Sequence, residues 1–207
     1  MHELIAVAVI TILAVISPGP DFAMVTRSSY AYGRKAGLLA ALGIALGMQI
    51  HVCYTVFGIA LLITSSPTLF TLMKYAGAAY LIYIGYKSFT NKTPVSLSGE
   101  ATHQAQSSFT AFRTGFLTNA LNPKTMLFVV SAYTQVVQPG SPLTVNLGYG
   151  FFMSFAHWAW FSLVACFFSS THLRGVLLSK QQLVDRLIGG ILMALGASLT
   201  LTSVQHI

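Results

Sequence analysis

The 207 residues are 55% hydrophobic and only 7% charged, with a mean hydropathy of +0.71, far from the ~25% charged content of a soluble domain. The formal net charge of +7 comes from bases in short stretches between apolar runs, with no continuous patch or arm, which excludes a nucleic-acid binder. Cys53 and Cys166 each stand alone in an apolar run, so neither a dithiol redox centre nor a metal site is supported.

The first apolar run starts at Leu4. Glu3 precedes it and no Lys or Arg does, the wrong charge for a cleaved leader, so this run is expected to stay as a membrane segment. It is broken at Ser17-Pro18-Gly19-Pro20-Asp21. Proline lacks an N–H and its ring clashes with the carbonyl four residues back, so two prolines around a glycine cannot continue a helix. Broken backbone at membrane depth is tolerated only where protein or a wet cavity surrounds it. Five further runs follow, giving six predicted spans: about 4–25, 36–64, 69–89, 109–136, 145–169 and 183–204. The fourth is also broken, at Asn122-Pro123-Lys124, 105 residues after the first break. It carries a base where the first carries an acid.

The fold class expected is therefore an all-α integral membrane protein, with spans 1 and 4 interrupted at proline motifs. The single domain covers 1–207, as a repeat A at about 1–90, a cytoplasmic linker at about 91–108 and a repeat B at about 109–207. Three spans per half is odd, so a duplicated unit inserts the second time upside down, as two inverted three-helix repeats. Nine bases (Arg27, Arg34, Lys35, Lys87, Lys92, Arg113, Arg174, Lys180 and Arg186) fall on one side of the alternating connections and none on the other. That asymmetry predicts both termini outside. Tyr30, Tyr32, Tyr75, Tyr86, Tyr133 and Tyr149 fall near span ends, as an interfacial aromatic belt would.

Ser17-Pro18 and Asn122-Pro123 each read as an N-cap followed by proline at the first helical position, so each break is expected to start a half-helix inside the membrane. Such an N-terminus carries free N–H groups and about half a positive charge, suited to a substrate carboxylate. Asp21 reads as the only carboxylate within the bilayer and Lys124 as its counterpart; they either pair with each other or receive a substrate's ammonium and carboxylate. The substrate-binding residues expected are Ser17, Gly19, Asp21, Asn119, Asn122 and Lys124, with Gln49 a further polar candidate for the cavity. For proton coupling they are Asp21, His51 and His157, each histidine being weighed against a neutral ring bonded inside a bundle. Gly43-x-x-x-Gly47 is expected to let another helix approach closely. No P-loop, dinucleotide fingerprint, H-E-x-x-H or G-x-S-x-G occurs, so ATP hydrolysis and the commoner enzyme chemistries lack support.

Four ordered stretches, Ser17-Pro18-Gly19-Pro20-Asp21-Phe22, Gly33-Arg34-Lys35-Ala36-Gly37, Gly85-Tyr86-Lys87, and Gly115-Phe116-Leu117-Thr118-Asn119 running into Asn122-Pro123-Lys124, resemble the LysE superfamily. The chain is most similar to its RhtB branch of homoserine and threonine efflux proteins. The resemblance implies a bacterial inner-membrane exporter of amino acids driven by the proton-motive force, with Asp21 and the Asn122-Pro123-Lys124 turn lining the pathway. His51 and His157 match no motif of that family. One acid and one base complement one ammonium and one carboxylate, which favours a small neutral amino acid over lysine or arginine. The partners expected are that amino acid, protons and the lipid bilayer, with no cofactor and with a homodimer left open. A membrane-embedded enzyme and a passive channel are the rival readings.

Overall fold

The computed structural model describes residues 2–90, 106–137, 141–170 and, apart from 184 and 195, 182–197. The predicted linker up to residue 105, and the bases Lys92, Arg174 and Lys180, lie outside the described residues. Seven helices are delimited: α1 (His2–Ile16), α2 (Pro20–Tyr32), α3 (Arg34–Ser65), α4 (Pro67–Phe89), α5 (Ser108–Ala120), α6 (Pro123–Val136) and α7 (Leu143–Phe168). Residues 182–183, 185–194 and 196–197 are helical too. No strand occurs among the described residues.

The polarity of the bundle is inside-out, as a membrane protein requires. Leu42, Leu46, Ile50, Tyr54 and Phe57 form an exposed stripe along α3, and Phe151, Phe155 and Trp158 form another on α7. Asp21, His51, Thr55, Asn119, Asn122 and His157 are buried instead. With no water in hydrocarbon, polar groups must find partners inside while apolar side chains face the acyl chains. Helices α3 and α7 are each long and apolar enough to cross a membrane, and Leu4–Ile16 of α1 with α2 meet the same measure as a pair bent by 53°, a broken span or a re-entrant loop.

Two features bring the parts together. Gly33 alone links α2 to α3, at φ 86, a left-handed conformation that L side chains rarely adopt. Its N–H donates to the Ser29 carbonyl and closes the end of α2. Where α3 crosses α5, Cβ atoms on Gly43 and Gly115 would stand 2.2 Å from the Phe112 carbonyl oxygen and 2.1 Å from that of Ala40. A Cβ on Gly47 would stand 2.8 Å from the Phe116 oxygen. Backbone touches backbone there, as the Gly43-x-x-x-Gly47 spacing predicted.

Three expectations need correction. The half-helix after the first break starts at Pro20 with Gly19 as its N-cap, not at Pro18 with Ser17. The Ser17 N–H still bonds the Leu13 carbonyl, so the serine closes α1 and its hydroxyl is turned to another partner. Tyr133 and Tyr149 are buried rather than interfacial; the Tyr133 hydroxyl donates to the Asn146 carbonyl at 2.7 Å and ties α6 to α7. A second carboxylate, Asp185, is only 1% exposed, with its carbonyl accepting from the Ser88 hydroxyl. Taking Asp21 as the only carboxylate within the bilayer passed over it, and packing against α4 buries it.

Candidate functional site

The two breaks meet. At the second, Asn122 caps α6 as expected: its Oδ1 accepts from the Lys124 N–H at 3.0 Å, with Pro123 at the first helical position. An N-cap of this kind stabilises by ~1 kcal/mol. Asp21 and Lys124 are thus each the residue after the first proline of a half-helix, Pro20 and Pro123 respectively.

That shared place has opposite consequences for the two charges. The positive pole of α2 favours a carboxylate, whereas the pole of α6 repels an ammonium. Accordingly Lys124 reaches back across the break. Its Nζ donates to the Pro18 carbonyl at 2.9 Å and to the carbonyl and hydroxyl of Ser17 at 3.1 Å each. These oxygens lie just past the end of α1, at its negative pole. A cation at membrane depth costs at least ~2.5 kcal/mol on insertion scales, and three oxygen acceptors offset it. Asp21 is held from the other half: its Oδ2 accepts from Asn119 Nδ2 at 2.8 Å and from the Thr125 hydroxyl at 3.3 Å. Each break holds the other's charge, and Asp21 and Lys124 form no direct pair.

Histidine roles follow from their carbonyl partners, which only accept hydrogen bonds. His51 Nε2 lies 2.8 Å from the Asn119 carbonyl oxygen and so carries the hydrogen; Nδ1 then accepts from the Tyr54 hydroxyl at 2.7 Å. Both ring nitrogens are engaged, and the ring fixes the end of α5 that bears Asn119. His157 Nδ1 lies 2.7 Å from the Met153 carbonyl oxygen, so the neutral ring carries its hydrogen there and Nε2 keeps a lone pair. Gln49 bonds the Gly150 carbonyl and the Ser154 hydroxyl, tying α3 to α7.

Two cavities flank this junction. A chamber of about 30 Å3 is lined by Asp21, His157, Thr125, Phe22, Phe128 and Phe161, among others. A vestibule of about 500 Å3 runs from the breaks along α4, past Tyr80, Tyr83 and Ile84, to Lys87 and Ser88. Ser17, Gly19, Asn122 and Lys124 line both. Asp21 lines the chamber only, and Asn119, His51 and Gln49 line neither of the two. Sequence reasoning missed Thr125, though its place beside Lys124 in the first turn of a half-helix was a usable signal. It also missed Tyr80, whose hydroxyl donates to the Lys124 carbonyl at 3.3 Å and which no local pattern marks.

The LysE type translocator family matches residues 12–203, which span both breaks and the helices around them. The chain belongs to this family. The LysE family chain is similar to an uncharacterized membrane protein, YrhP, of Bacillus subtilis (strain 168), at 40% identity over 144 residues, 66% of this chain and 69% of that one. It is similar to the threonine efflux protein of Escherichia coli (strain K12), at 28% over 201 residues, 96% of this chain and 97% of that one. A leucine efflux protein of Salmonella choleraesuis (strain SC-B67) is 35% identical over 147 residues, 69% of this chain and 65% of that one. No solved structure matches it. Membership of a translocator family makes the chain a membrane transporter and removes the ground for the enzyme reading.

In this LysE family chain the first break has one point of tight fit. A Cβ on Gly19 would stand 3.2 Å from both Cδ and Nζ of Lys124. Gly19→Ala is therefore expected to shift the end of Lys124 by a few tenths of an ångström against the Ser17 and Pro18 oxygens while leaving the fold intact. Transport assayed over a range of substrate concentrations should show an apparent affinity several-fold weaker; an unchanged affinity would mean that the lysine's seat does not matter to substrate.

Proposed function

We propose that the protein exports a small neutral amino acid across the bacterial inner membrane, by alternating access coupled to inward proton movement. The observation that carries this reading is the meeting of two proline-broken spans, with opposite charges held at their breaks and a vestibule of about 500 Å3 beside them. Paired interruptions of this kind are where secondary transporters bind their cargo. The names of relatives, threonine efflux and leucine efflux, agree with an amino acid as that cargo.

In the proposed arrangement, six spans form two inverted repeats with both termini outside. The substrate carboxylate then meets Lys124 and the half-helix N-termini at Gly19 and Asn122, while the Ser17 and Pro18 oxygens that now hold Lys124 receive the substrate ammonium when the lysine turns to the carboxylate. Asp21 and Asn119 sit behind this seat. The vestibule reaches Lys87, which the proposed orientation puts on the cytoplasmic side, and this supports a conformation open inward. Threonine or homoserine suits the charge count. The wall formed by Tyr80, Tyr83, Ile84 and Leu127 favours a second reading, an apolar side chain such as that of leucine.

Proteoliposomes under an imposed pH gradient, offered labelled threonine, homoserine, leucine or lysine in turn, test the reading. Accumulation of a neutral amino acid that stops when the gradient is collapsed is the expected result. Strong lysine transport with no neutral substrate would overturn the substrate class, and flux indifferent to the gradient would favour a passive channel.

A further inference from the structure

The cavity of about 30 Å3 is far too small for an amino acid, yet it is not an apolar void. Dry cavities are lined by apolar groups, and a water needs roughly 10–15 Å3 of such space together with two to four polar partners. This chamber has room for one or two waters, and it has the partners. Asp21 is 6% exposed, and while Oδ2 accepts two hydrogen bonds, its buried Oδ1 has none. His157, 4% exposed, lines the same space, with Nδ1 committed to Met153 and Nε2 left as an acceptor. Asp21 and His157 thus line one water-sized chamber, and each keeps an acceptor with no hydrogen-bond partner, so the pair lacks only a proton.

Resting on the export reading above, we infer that the coupling proton and the substrate occupy separate compartments: the proton is held between Asp21 Oδ1 and His157 Nε2 through a water in the chamber, and Lys124 is the partition between them. The step is a proton transfer alone, with one O–H or N–H bond formed as a proton arrives and the same bond broken as it leaves. Sodium fits poorly, because it needs several oxygen ligands and the carbonyl and hydroxyl of Ser17, which lines the chamber, are taken by Lys124. His51 is not a member of the pair, since both its nitrogens are bonded and it does not line the chamber. Its role is to position Asn119, which in turn holds Asp21. The charged and titratable groups around His157 are Asp21 on α2, His51 on α3 and Lys124 on α6.

The test uses the full-length protein in liposomes and two readouts. In infrared difference spectra taken on acidification, the carboxyl band that Asp21→Asn removes should shift in His157→Gln, and the imidazole band that His157→Gln removes should shift in Asp21→Asn. Thr125→Val, which strips one donor from Asp21, should shift the carboxyl band as well, and it serves if Asp21→Asn does not fold. Bands that ignore one another's partner would overturn the proposal whether or not transport is seen. In flux assays His157→Gln should lose accumulation driven by a pH gradient yet keep exchange of labelled for unlabelled substrate. Loss of exchange to the same degree, or accumulation driven by a sodium gradient alone, would overturn it. Wild-type liposomes that move no amino acid would instead sink the export reading, and the infrared result would still decide the proton site.

Discussion

Lys124→Ala should transport amino acid roughly 10- to 100-fold more weakly than the wild type, because charge-assisted hydrogen bonds contribute ~1.5–3 kcal/mol and each 1.4 kcal/mol is about tenfold. The substitution removes the ammonium proposed to meet the substrate carboxylate. It also strips the donor from the Ser17 carbonyl and hydroxyl and from the Pro18 carbonyl. A second effect separates this change from ordinary damage to a binding site. Lys124 lines both the chamber and the vestibule, and as it is the partition inferred above, its shortening should join the two. Liposomes bearing the variant should leak protons in the absence of substrate, read as faster decay of an imposed pH gradient. Lys124→Met, which keeps most of the stem, should lose transport but leak less. Normal transport with a tight gradient in Lys124→Ala would remove the lysine from the mechanism.

Gly115→Ala should give the largest loss of stability of any single added methyl group in the bundle. Its Cβ would lie 2.1 Å from the Ala40 carbonyl oxygen and 2.8 Å from the Ala40 Cα, so backbone rather than a movable side chain would have to yield. Overpacking costs ~1–3 kcal/mol where side chains can rearrange, and here they cannot. Gly43→Ala meets the same crossing from the other side, 2.2 Å from the Phe112 oxygen. The consequence reaches the site, because α5 carries Asn119 and α3 carries His51, which hold Asp21 in sequence. A thermal melt in detergent, followed by size-exclusion recovery, should show a clear fall for both. Gly58→Ala and Gly148→Ala, with nothing within 4 Å of the added atom, should match or exceed the wild type, since alanine favours a helix by ~0.5–1 kcal/mol over glycine. Equal melting of all four would show that the crossing is not tight.

Much of the candidate site was legible because proline acts on its own backbone. Pro18, Pro20 and Pro123 had to break their helices whatever surrounded them, and a charge next to each break pointed to protein-lined surroundings. The cap at Asn122 was legible for the same reason, being a bond between neighbours in sequence. The cap at the first break was not, because Ser17 had two possible partners and the distant one, Lys124, took its hydroxyl. Tyr133 was misread and Asp185 passed over for one reason: each lies near the end of an apolar run, and only the helix packed against it makes that place interior. The two histidines looked equivalent in sequence, both mid-span, yet His51 has both nitrogens bonded and lies off the chamber, whereas His157 has one nitrogen bonded and lines it.

From the residues alone came a membrane bundle with two broken spans, and the acid and base at the breaks, since hydropathy and proline geometry are properties of short segments. Tertiary structure alone decided that Asp21 and Lys124 do not pair, that each is held by the opposite half, and that a small chamber and a large vestibule both have the lysine in their lining. Those contacts join residues 98 to 107 apart; the Gly43-x-x-x-Gly47 spacing indicated that some helix comes close, and only the packed bundle decided that it is α5, which carries Asn119.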